Sequence, residues 1–346
     1  MHALRQLIYL LADLLGVNFI CRRLTANRVR VLMYHGVAGR SLPSFYWTVL
    51  DREKFVRQMG YVKKKFAVDK LSSLLTNSGR RDRPLAAITF DDGLENTYTD
   101  AWPILKEHDL VATCFVVPGL SESGRRIWAD ELYARTMADL DTEIDLSSTG
   151  YGIIPVGTVQ QRAGAVEKLV ERLKAASQEK RAAVLETVAA HCGSGGAVSV
   201  DGLNLMSGEQ IVELARSSEF EIAGHSDSHP ILAMMTPDEQ EREIASCLSR
   251  LKSWGLDPPA FFAYPNGREA DFDEYTIAAL KRHDCRAAVT TVDGLWDLSG
   301  DSFRIPRIAI GADISMPEFK CRMSGLFYVL RRVRHLMRRR SKRREA

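Results

Sequence analysis

The chain has 346 residues, with 45% hydrophobic and 26% charged side chains and a formal net charge of +3 at pH 7. This is the composition of a soluble globular protein, and the length predicts either one large α/β domain with additions or two smaller domains. The six cysteines stand far apart with no CxxC pair, which argues against a cysteine zinc knot and gives no indication of a disulfide framework.

The small net charge hides two basic ends. Residues 331–346 carry nine Lys or Arg against one Glu, and residues 1–30 carry five Arg against one Asp, so residues 31–330 are acidic, with a net charge of −9. We therefore divide the chain into a basic amphipathic N-terminal helix (1–30), a body (31–312) and a basic amphipathic C-terminal tail (313–346).

The first 21 residues, MHALRQLIYLLADLLGVNFIC, have the look of a signal peptide. However, Asp13 interrupts the apolar run, no small-residue cleavage site follows, and the uninterrupted apolar length is below the ~20 residues of a spanning helix. We predict an amphipathic helix whose apolar face either packs on the body or lies in a membrane interface. With no cleavable signal evident, we expect a cytoplasmic protein, either free or peripheral at the inner face of the membrane.

Within the body, short apolar strands alternate with amphipathic helices. The sequence predicts strands at 28–34, 85–90 and 110–117 and helices at 52–65 and 101–108. This alternation favours an α/β domain with parallel strands, in which functional side chains collect at the C-terminal ends of the strands.

The alternation stops between residues 121 and 205. Helical spacing at 128–140 and 162–191 is separated by turn-rich sequence, and we interpret the segment as an insertion that forms a lid or a substrate cap. Trp128 and Asp130 within it either contact sugar or belong to its core. The alternation then resumes, with helices predicted at 207–216, 237–254 and 272–283 and strands at 220–223 and 286–291.

Two polar clusters follow apolar strands. LAAITFDDG ends in Asp91 and Asp92, and GHSDSHP places His225 and His229 four residues apart, within reach of one ion in a helical turn or a tight loop. Alone, the first cluster is typical of a turn with solvated acids, and the second of a surface helix. On strands of one α/β chain, two histidines and one aspartate can complete a metal site.

The motifs TFDDG (89–93) and HSDSHP (225–230) resemble the first two motifs of the polysaccharide deacetylases, carbohydrate esterase family 4, which carry a NodB-homology domain. YHGV (34–37) and FAYPNG (262–267) are similar to the branch of that family found with bacterial exopolysaccharide genes. The resemblance implies an α/β fold, a distorted (β/α)7-type barrel, for the body outside the insertion.

The resemblance also implies roles for the polar clusters. Asp92, His225 and His229 would hold a divalent metal ion, zinc first, with cobalt or nickel as alternatives, and Asp91 would be the general base that takes a proton from the attacking water. The donor set agrees, because two imidazoles and one carboxylate suit a borderline ion better than calcium.

Two further roles are implied by the third motif. In the family, the residue after its proline lends a backbone N–H to the oxyanion, which points to Asn266 here. The family's arginine two residues before that proline is replaced by Ala263. The base therefore needs another orienting group, for which Arg304 or Arg307, both in RIPRI, are the candidates.

The general acid is inferred by elimination. The family's late leucine–histidine motif is missing, and the histidines beyond His229 fall within a predicted helix (His283) and the basic tail (His335). His35, at the end of the first strand, remains, and the similarity to the exopolysaccharide branch implies the same role. The alternative is a packed histidine bonded to a backbone carbonyl.

The expected function is a metal-dependent hydrolase that removes N-acetyl groups from N-acetylhexosamine in a bacterial polysaccharide or its precursor. One alternative is a deacetylase or deformylase of a lipid-linked amino sugar at the membrane surface, which the basic ends would suit. Another is a non-catalytic glycan-binding module. The arginines of the tail could bind nucleic-acid phosphates, but the apolar residues between them favour a membrane surface, and we expect no nucleic-acid partner.

Overall fold

The structure, a computed structural model, describes residues 2–39, 42, 44–76, 82–137, 142–191, 202–257 and 261–342. Its strands are β1 (Arg30–Tyr34), β2 (Gly36–Ala38), β3 (Val49–Asp51), β4 (Ala67–Val68), β5 (Leu85–Phe90), β6 (Ala112–Val116), β7 (Glu143–Leu146), β8 (Gly152–Pro155), β9 (Phe220–Gly224), β10 (Phe261–Ala263), β11 (Ala287–Asp293) and β12 (Ile305–Ala309). Its α-helices are α1 (His2–Leu14), α2 (Val17–Leu24), α3 (Arg52–Lys65), α4 (Leu71–Thr76), α5 (Trp102–Glu107), α6 (Pro118–Glu122), α7 (Trp128–Met137), α8 (Val159–Lys174), α9 (Gln178–His191), α10 (Gly208–Arg216), α11 (Pro237–Ser253), α12 (Glu274–Arg282), α13 (Met316–Ser324) and α14 (Leu326–Lys342).

Seven of these strands close into a parallel barrel. The order is β1, β12, β11, β10, β9, β6, β5, and the ring closes because β1 pairs with both β12 and β5. The closure is uneven, since β9 and β10 share a single registered pair, Gly224 with Phe262. β4 pairs with β5 outside the ring. The predicted distorted (β/α)7-type barrel is therefore confirmed.

Side chains on the barrel strands alternate between its interior and the surrounding helix layer, as the two-residue period of a strand requires. Val31, Ala87 and Phe115 belong to the interior cluster. Their neighbours Leu32 and Ile88 belong to a second cluster, shared with the helices outside the barrel. The inward series runs past the strand ends into polar residues, which places those residues at the C-terminal mouth of the barrel.

The insertion has a hydrophobic core of its own, built from α7, α8, α9 and the antiparallel β7–β8 hairpin. The helical spacing predicted at 162–191 corresponds to two helices, α8 and α9. Arg181 of α9 donates from Nε to the carbonyl of Leu173 at 2.9 Å, so the second helix caps the end of the first. The predicted helix end at 138–140 and the turn-rich segment 192–201 lie outside the described residues.

Both ends of the chain depart from the predicted boundaries. The N-terminal segment forms two helices rather than one, because Gly16 between α1 and α2 adopts φ +76°. The helix α13 belongs to the barrel domain, since Phe319 and Cys321 are fully buried. The predicted tail boundary at 313 is therefore too early, and the exposed basic helix is α14.

Among the described residues, no single helix has both the length and the apolar composition to cross a bilayer. The pair formed by Ala3–Leu14 and Val17–Leu24 reaches that length and composition only when taken together, with a 72° bend between its two halves.

Candidate metal centre and catalytic site

Asp91 and Asp92 follow β5 at the mouth of the barrel. The N–H of Asp91 donates to the carbonyl of Tyr34 at 2.9 Å, which anchors the start of the loop to β1. Asp92 and Gly93 both adopt left-handed conformations, with φ of 72° and 75°, so the chain turns sharply here. A Cβ on Gly93 would lie 3.0 Å from the Val116 side chain, and the glycine thus allows the loop to pack against β6.

His225 and His229 lie on the loop that follows β9. Of the two predicted possibilities, the structure forms a tight loop, since Ser226 and His229 have φ of 63° and 61°. The Ser226 Oγ accepts the N–H of His229 at 2.9 Å. Glu243 of α11 accepts two further backbone N–H groups of the loop, at 3.0 and 2.9 Å. These bonds fix the loop so that both imidazoles point to one place.

Asp92, His225 and His229 bring three ligand atoms together. Asp92 Oδ1 lies 3.4 Å from the Nε2 of each histidine, and the three atoms all lie within 4.8 Å of one another. His225 Nδ1 lies 2.8 Å from the carbonyl oxygen of Ala263. Because a carbonyl can only accept, Nδ1 must carry the proton, which leaves the Nε2 lone pair facing Asp92.

These donors fit a divalent metal ion. Three protein ligands with open positions are typical of catalytic zinc sites, and a mixed imidazole and carboxylate set suits zinc, cobalt or nickel. Asp92 and His225 are buried at 7% and 2% exposure, so their polar atoms need a partner. Within the described residues, no other group of three His, Cys, Asp or Glu side chains has this spacing.

Asp91 is not one of these ligands and instead pairs with Arg307 of β12. Arg307 donates from Nη1 to Oδ1 and from Nη2 to Oδ2, both at 2.6 Å. Its Nε donates to the carbonyl of Thr290 at 2.8 Å, and its side chain is fully buried. Burial by itself raises the pKa of Asp91, but the Arg307 guanidinium, together with His225 and His35, outweighs burial and the pKa is lowered. Asp91 is therefore an ionised carboxylate held in one orientation.

Arg304, the other candidate for orienting the base, lies elsewhere. Its side chain is 43% exposed and donates to Glu274 at 2.8 Å and to Asp301 at 3.1 Å. Of the two candidates, the structure places only Arg307 at Asp91. Arg307 enters the barrel from β12, whereas Ala263 occupies β10.

His35 follows β1 at the same mouth. Its ring lies edge-on to Trp47, with 5.8 Å between ring centroids, and its buried Nδ1 has no hydrogen-bond partner among the described residues. Burial raises the pKa of Asp91 and Asp92, and His35 is among the nearby groups that lower the pKa of both carboxyls. The alternative of a packed histidine expected a bond to a backbone carbonyl, which Nδ1 does not make.

Asn266 follows β10 and has a left-handed backbone with φ of 59°. Its side chain donates to Asp271 Oδ2 at 2.5 Å, and its carbonyl accepts the hydroxyl of Thr291 at 2.7 Å. Among the described residues, its backbone N–H has no hydrogen-bond partner. The N–H is therefore free to donate to another molecule.

The site also includes Asp130, a carboxylate for which the sequence predicted only a contact with sugar or a place in the core of the insertion. Asp130 of α7 is 3% exposed, accepts the hydroxyl of Tyr46 at 2.6 Å, and its Oδ2 has no partner within the described part of the chain. Burial raises the pKa of Asp130 to about 7, and the negative charge of Asp92 acts in the same direction. The sequence held no motif for it. Its neighbour Trp128 instead packs in the insertion core, with the Arg181 guanidinium 5.4 Å from its ring.

Comparisons with known proteins agree with this arrangement. A model of the polysaccharide deacetylase family matches residues 78–288. The curated Bacillus subtilis (strain 168) protein named "Putative polysaccharide deacetylase YxkH" is 31% identical over 91 residues, which are 26% of this chain. The match spans about a third of the length of that relative, 32%.

Two solved structures are similar in fold. The Streptococcus pyogenes deacetylase PplD in complex with acetate has a TM-score of 0.56 at 19% identity, covering 86% of this chain and 98% of that one. IcaB from Ammonifex degensii has a TM-score of 0.55 at 18% identity, covering 86% and 97%. At these identities the two structures show a shared fold.

The family match extends from before the Asp91–Asp92 loop to beyond the His225–His229 loop, and it includes more than half of the chain. It therefore contains both polar clusters of the candidate site, four complete barrel strands and the start of a fifth, β11. The closed seven-stranded barrel agrees with the same assignment. The chain belongs to the polysaccharide deacetylase family.

Proposed function

We propose that this protein is a metal-dependent N-deacetylase that removes acetyl groups from N-acetylhexosamine residues of a bacterial polysaccharide or its precursor. Membership of the polysaccharide deacetylase family supports a hydrolase acting on an acylated carbohydrate. The observation that carries the proposal is the convergence of Asp92, His225 and His229 at a barrel mouth that also holds the buried, ionised Asp91.

The arrangement supports a separate role for each of these groups in amide hydrolysis. A divalent ion held by Asp92, His225 and His229 would polarise the acetyl carbonyl and make water more acidic. Asp91, kept ionised by Arg307, accepts the proton of the attacking water. The backbone N–H of Asn266 donates to the oxyanion. His35 donates a proton to the departing nitrogen, so that the C–N bond breaks to give acetate and the free amine.

A second candidate substrate is an amino sugar carried on a lipid, from which the same residues would remove an acetyl or formyl group. The exposed apolar side chains of α1 and α2 favour it, since they would hold the protein at a membrane surface. A non-catalytic glycan-binding module is disfavoured, because a binding module has no use for a buried carboxylate oriented by a bidentate arginine beside three converging ligand atoms.

Release of acetate or formate from a substrate panel tests the proposal. The panel holds oligomers of N-acetylglucosamine, a lipid-linked N-acetylhexosamine and its formylated analogue, each assayed with metal-free protein and after adding zinc, cobalt or nickel. We expect hydrolysis of at least one N-acetylated sugar that appears only with metal. The Asp91→Asn variant is the control for contaminating activity. Metal-loaded protein that binds these sugars and hydrolyses none of them would contradict the proposal.

A further inference from the structure

The helices α1 and α2 turn their apolar side chains away from the protein. More than half of the exposed large hydrophobic side chains of the described chain lie between residues 4 and 24. We define the outer apolar face by six of them, which are 44–72% exposed: Leu4, Leu7, Leu11, Leu14, Phe19 and Ile20. Monomeric soluble proteins rarely expose a contiguous apolar patch of this kind without a partner.

The polar side of α1 faces the barrel domain and fixes this orientation. Gln6 accepts the hydroxyl of Ser315 at the start of α13, and further along α1, Asp13 accepts Lys320 of the same helix at 2.6 Å. Tyr9, between them, is buried. Rotating the leucines toward the body would break these bonds and turn the buried Tyr9 toward solvent. The predicted alternative in which the apolar face packs on the body is therefore wrong.

Positive charge surrounds the outer apolar face. Arg22 and Arg23 lie in the last turn of α2. The helix α14, which contacts α2, carries the exposed Arg331, Arg332 and Arg334. The same helix exposes a second apolar stripe at one-turn and two-turn spacing, formed by Leu330, Val333 and Met337 at 43–59% exposure.

A cleft of about 290 Å³ opens between α1, α13 and α14. Three of its arginines are paired with acids: Arg322 with Glu318 at 2.8 Å, Arg331 with Asp293 at 2.9 Å, and Arg5 with Glu318 at 4.0 Å. Its charged lining consists of four arginines and two acids: Arg5, Arg322, Arg331, Arg334, Asp293 and Glu318. The excess positive charge suits an anionic headgroup.

We propose that the outer apolar face and the arginines of α14 bind the interface of an anionic lipid bilayer. Apolar residues on an interfacial helix insert at the boundary between headgroups and acyl chains, while flanking arginines contact anionic headgroups. A second copy of this chain is a poorer occupant. A two-fold contact would bring the same patch of arginines against itself, with no added acid to neutralise it.

The geometry favours a helix lying in the interface over one crossing the bilayer. The 13 residues of α1 extend only ~20 Å, short of the ~30 Å hydrocarbon core, and α2 departs from the α1 axis by 72°. The bonds between α1 and α13 also attach one side of the helix to the barrel domain along its length.

The test is sedimentation of the full chain with vesicles of phosphatidylcholine alone, or of phosphatidylcholine mixed with phosphatidylglycerol. Four proteins are compared: wild type, Leu7→Asp/Leu11→Asp, Arg332→Glu/Arg334→Glu, and the control Ile153→Asp, which changes an exposed apolar residue of the β7–β8 hairpin. Melting temperature and circular dichroism verify that each variant is folded.

We expect wild type and Ile153→Asp to bind the mixed vesicles equally, with affinity falling as salt rises. The leucine variant should bind roughly tenfold or more weakly to both vesicle types. The arginine variant should lose about tenfold or more on the mixed vesicles alone, together with the salt dependence. The proposal is overturned if folded wild type does not bind vesicles, if it dimerises through this face instead, or if both variants bind as wild type does. None of these outcomes depends on the proposed deacetylase activity.

Discussion

Arg307 donates a hydrogen bond to each carboxylate oxygen of Asp91 in a buried, bidentate ion pair, with both N···O distances at 2.6 Å. The guanidinium also donates to the Thr290 carbonyl and the Thr89 hydroxyl, so its own position is fixed. Arg307 thus orients Asp91 and helps to lower its pKa in a place where burial alone would raise it.

Replacing Arg307 by lysine should misplace the base without emptying the metal centre. Lysine keeps the charge but cannot make the bidentate contact, and we expect kcat/KM to fall by about 10²-fold. Because Arg307 lowers the pKa of Asp91, weakening the contact should raise that pKa and move the acidic limb of the pH profile to higher pH. Arg304→Lys is the matched control and should behave as wild type. A pH profile that is unchanged in Arg307→Lys would argue against the orienting role.

His225→Ala and His229→Ala should each lose bound metal and activity together. Each substitution removes one of three converging ligands, and the rest of a rigid barrel mouth cannot supply another. Metal content of the purified proteins is the measurement, with His108→Ala, directly after α5, as the control that keeps its metal. Stoichiometric metal retained in both site variants would refute the ligand assignment.

Substitutions at the neighbouring residues Asp91 and Asp92 should have different effects on metal content and activity. Asp91→Asn should keep the metal and lose ~10² to 10⁴ in kcat, the usual contribution of a positioned general base. Asp92→Asn should lose the metal, since Asp92 Oδ1 is the atom that faces both histidines. Metal analysis beside kcat distinguishes the two. The reverse pattern would mean that base and ligand are exchanged.

His35→Ala should be folded, metal-loaded and slow. If His35 protonates the departing amine, the deficit should shrink for a substrate whose leaving group needs no acid, such as a phenyl ester. We would compare kcat/KM for an acetamide and an acetate ester in wild type and variant, together with their melting temperatures. A variant that is less stable but has wild-type kcat/KM on the acetamide would show that His35 contributes to packing and is not the general acid.

Asp130→Asn should stabilise the metal-free protein, and more so at alkaline pH. The pKa of Asp130 is raised to about 7, so the folded state holds a proton that the unfolded state has lost above pH ~4. The contribution of Asp130 to the free energy of unfolding therefore falls as pH rises from ~4 to ~7. Asparagine does not titrate, so this decrease is absent in the variant. Melting temperatures at pH 5 and pH 8 are the measurement, with the exposed Asp238→Asn as control. An equal shift at both pH values would contradict the raised pKa.

The sequence by itself determined the barrel and the family. Alternating apolar segments of strand and helix length specify parallel βα units, and the predicted α3, at 52–65, matches the structure residue for residue. The motifs that contain Asp91, Asp92, His225 and His229 were sufficient to predict a metal site, because the C-terminal ends of parallel barrel strands lie together at one mouth. The ligand and base roles themselves stay predictions until metal and kinetics are measured.

The tertiary structure decided what depends on contacts between residues far apart in the chain. The choice of Arg307 over Arg304 depends on their places in the fold, since Arg307 lies within β12 and its buried side chain reaches Asp91, whereas Arg304 precedes that strand and is exposed. The nearness of Asp130 to Asp92 depends on how α7 of the insertion packs against the rest of the chain, which includes the bond from Tyr46. The outward direction of α1 depends on Asp13 meeting Lys320, 307 positions away, a contact that periodicity within one helix cannot indicate.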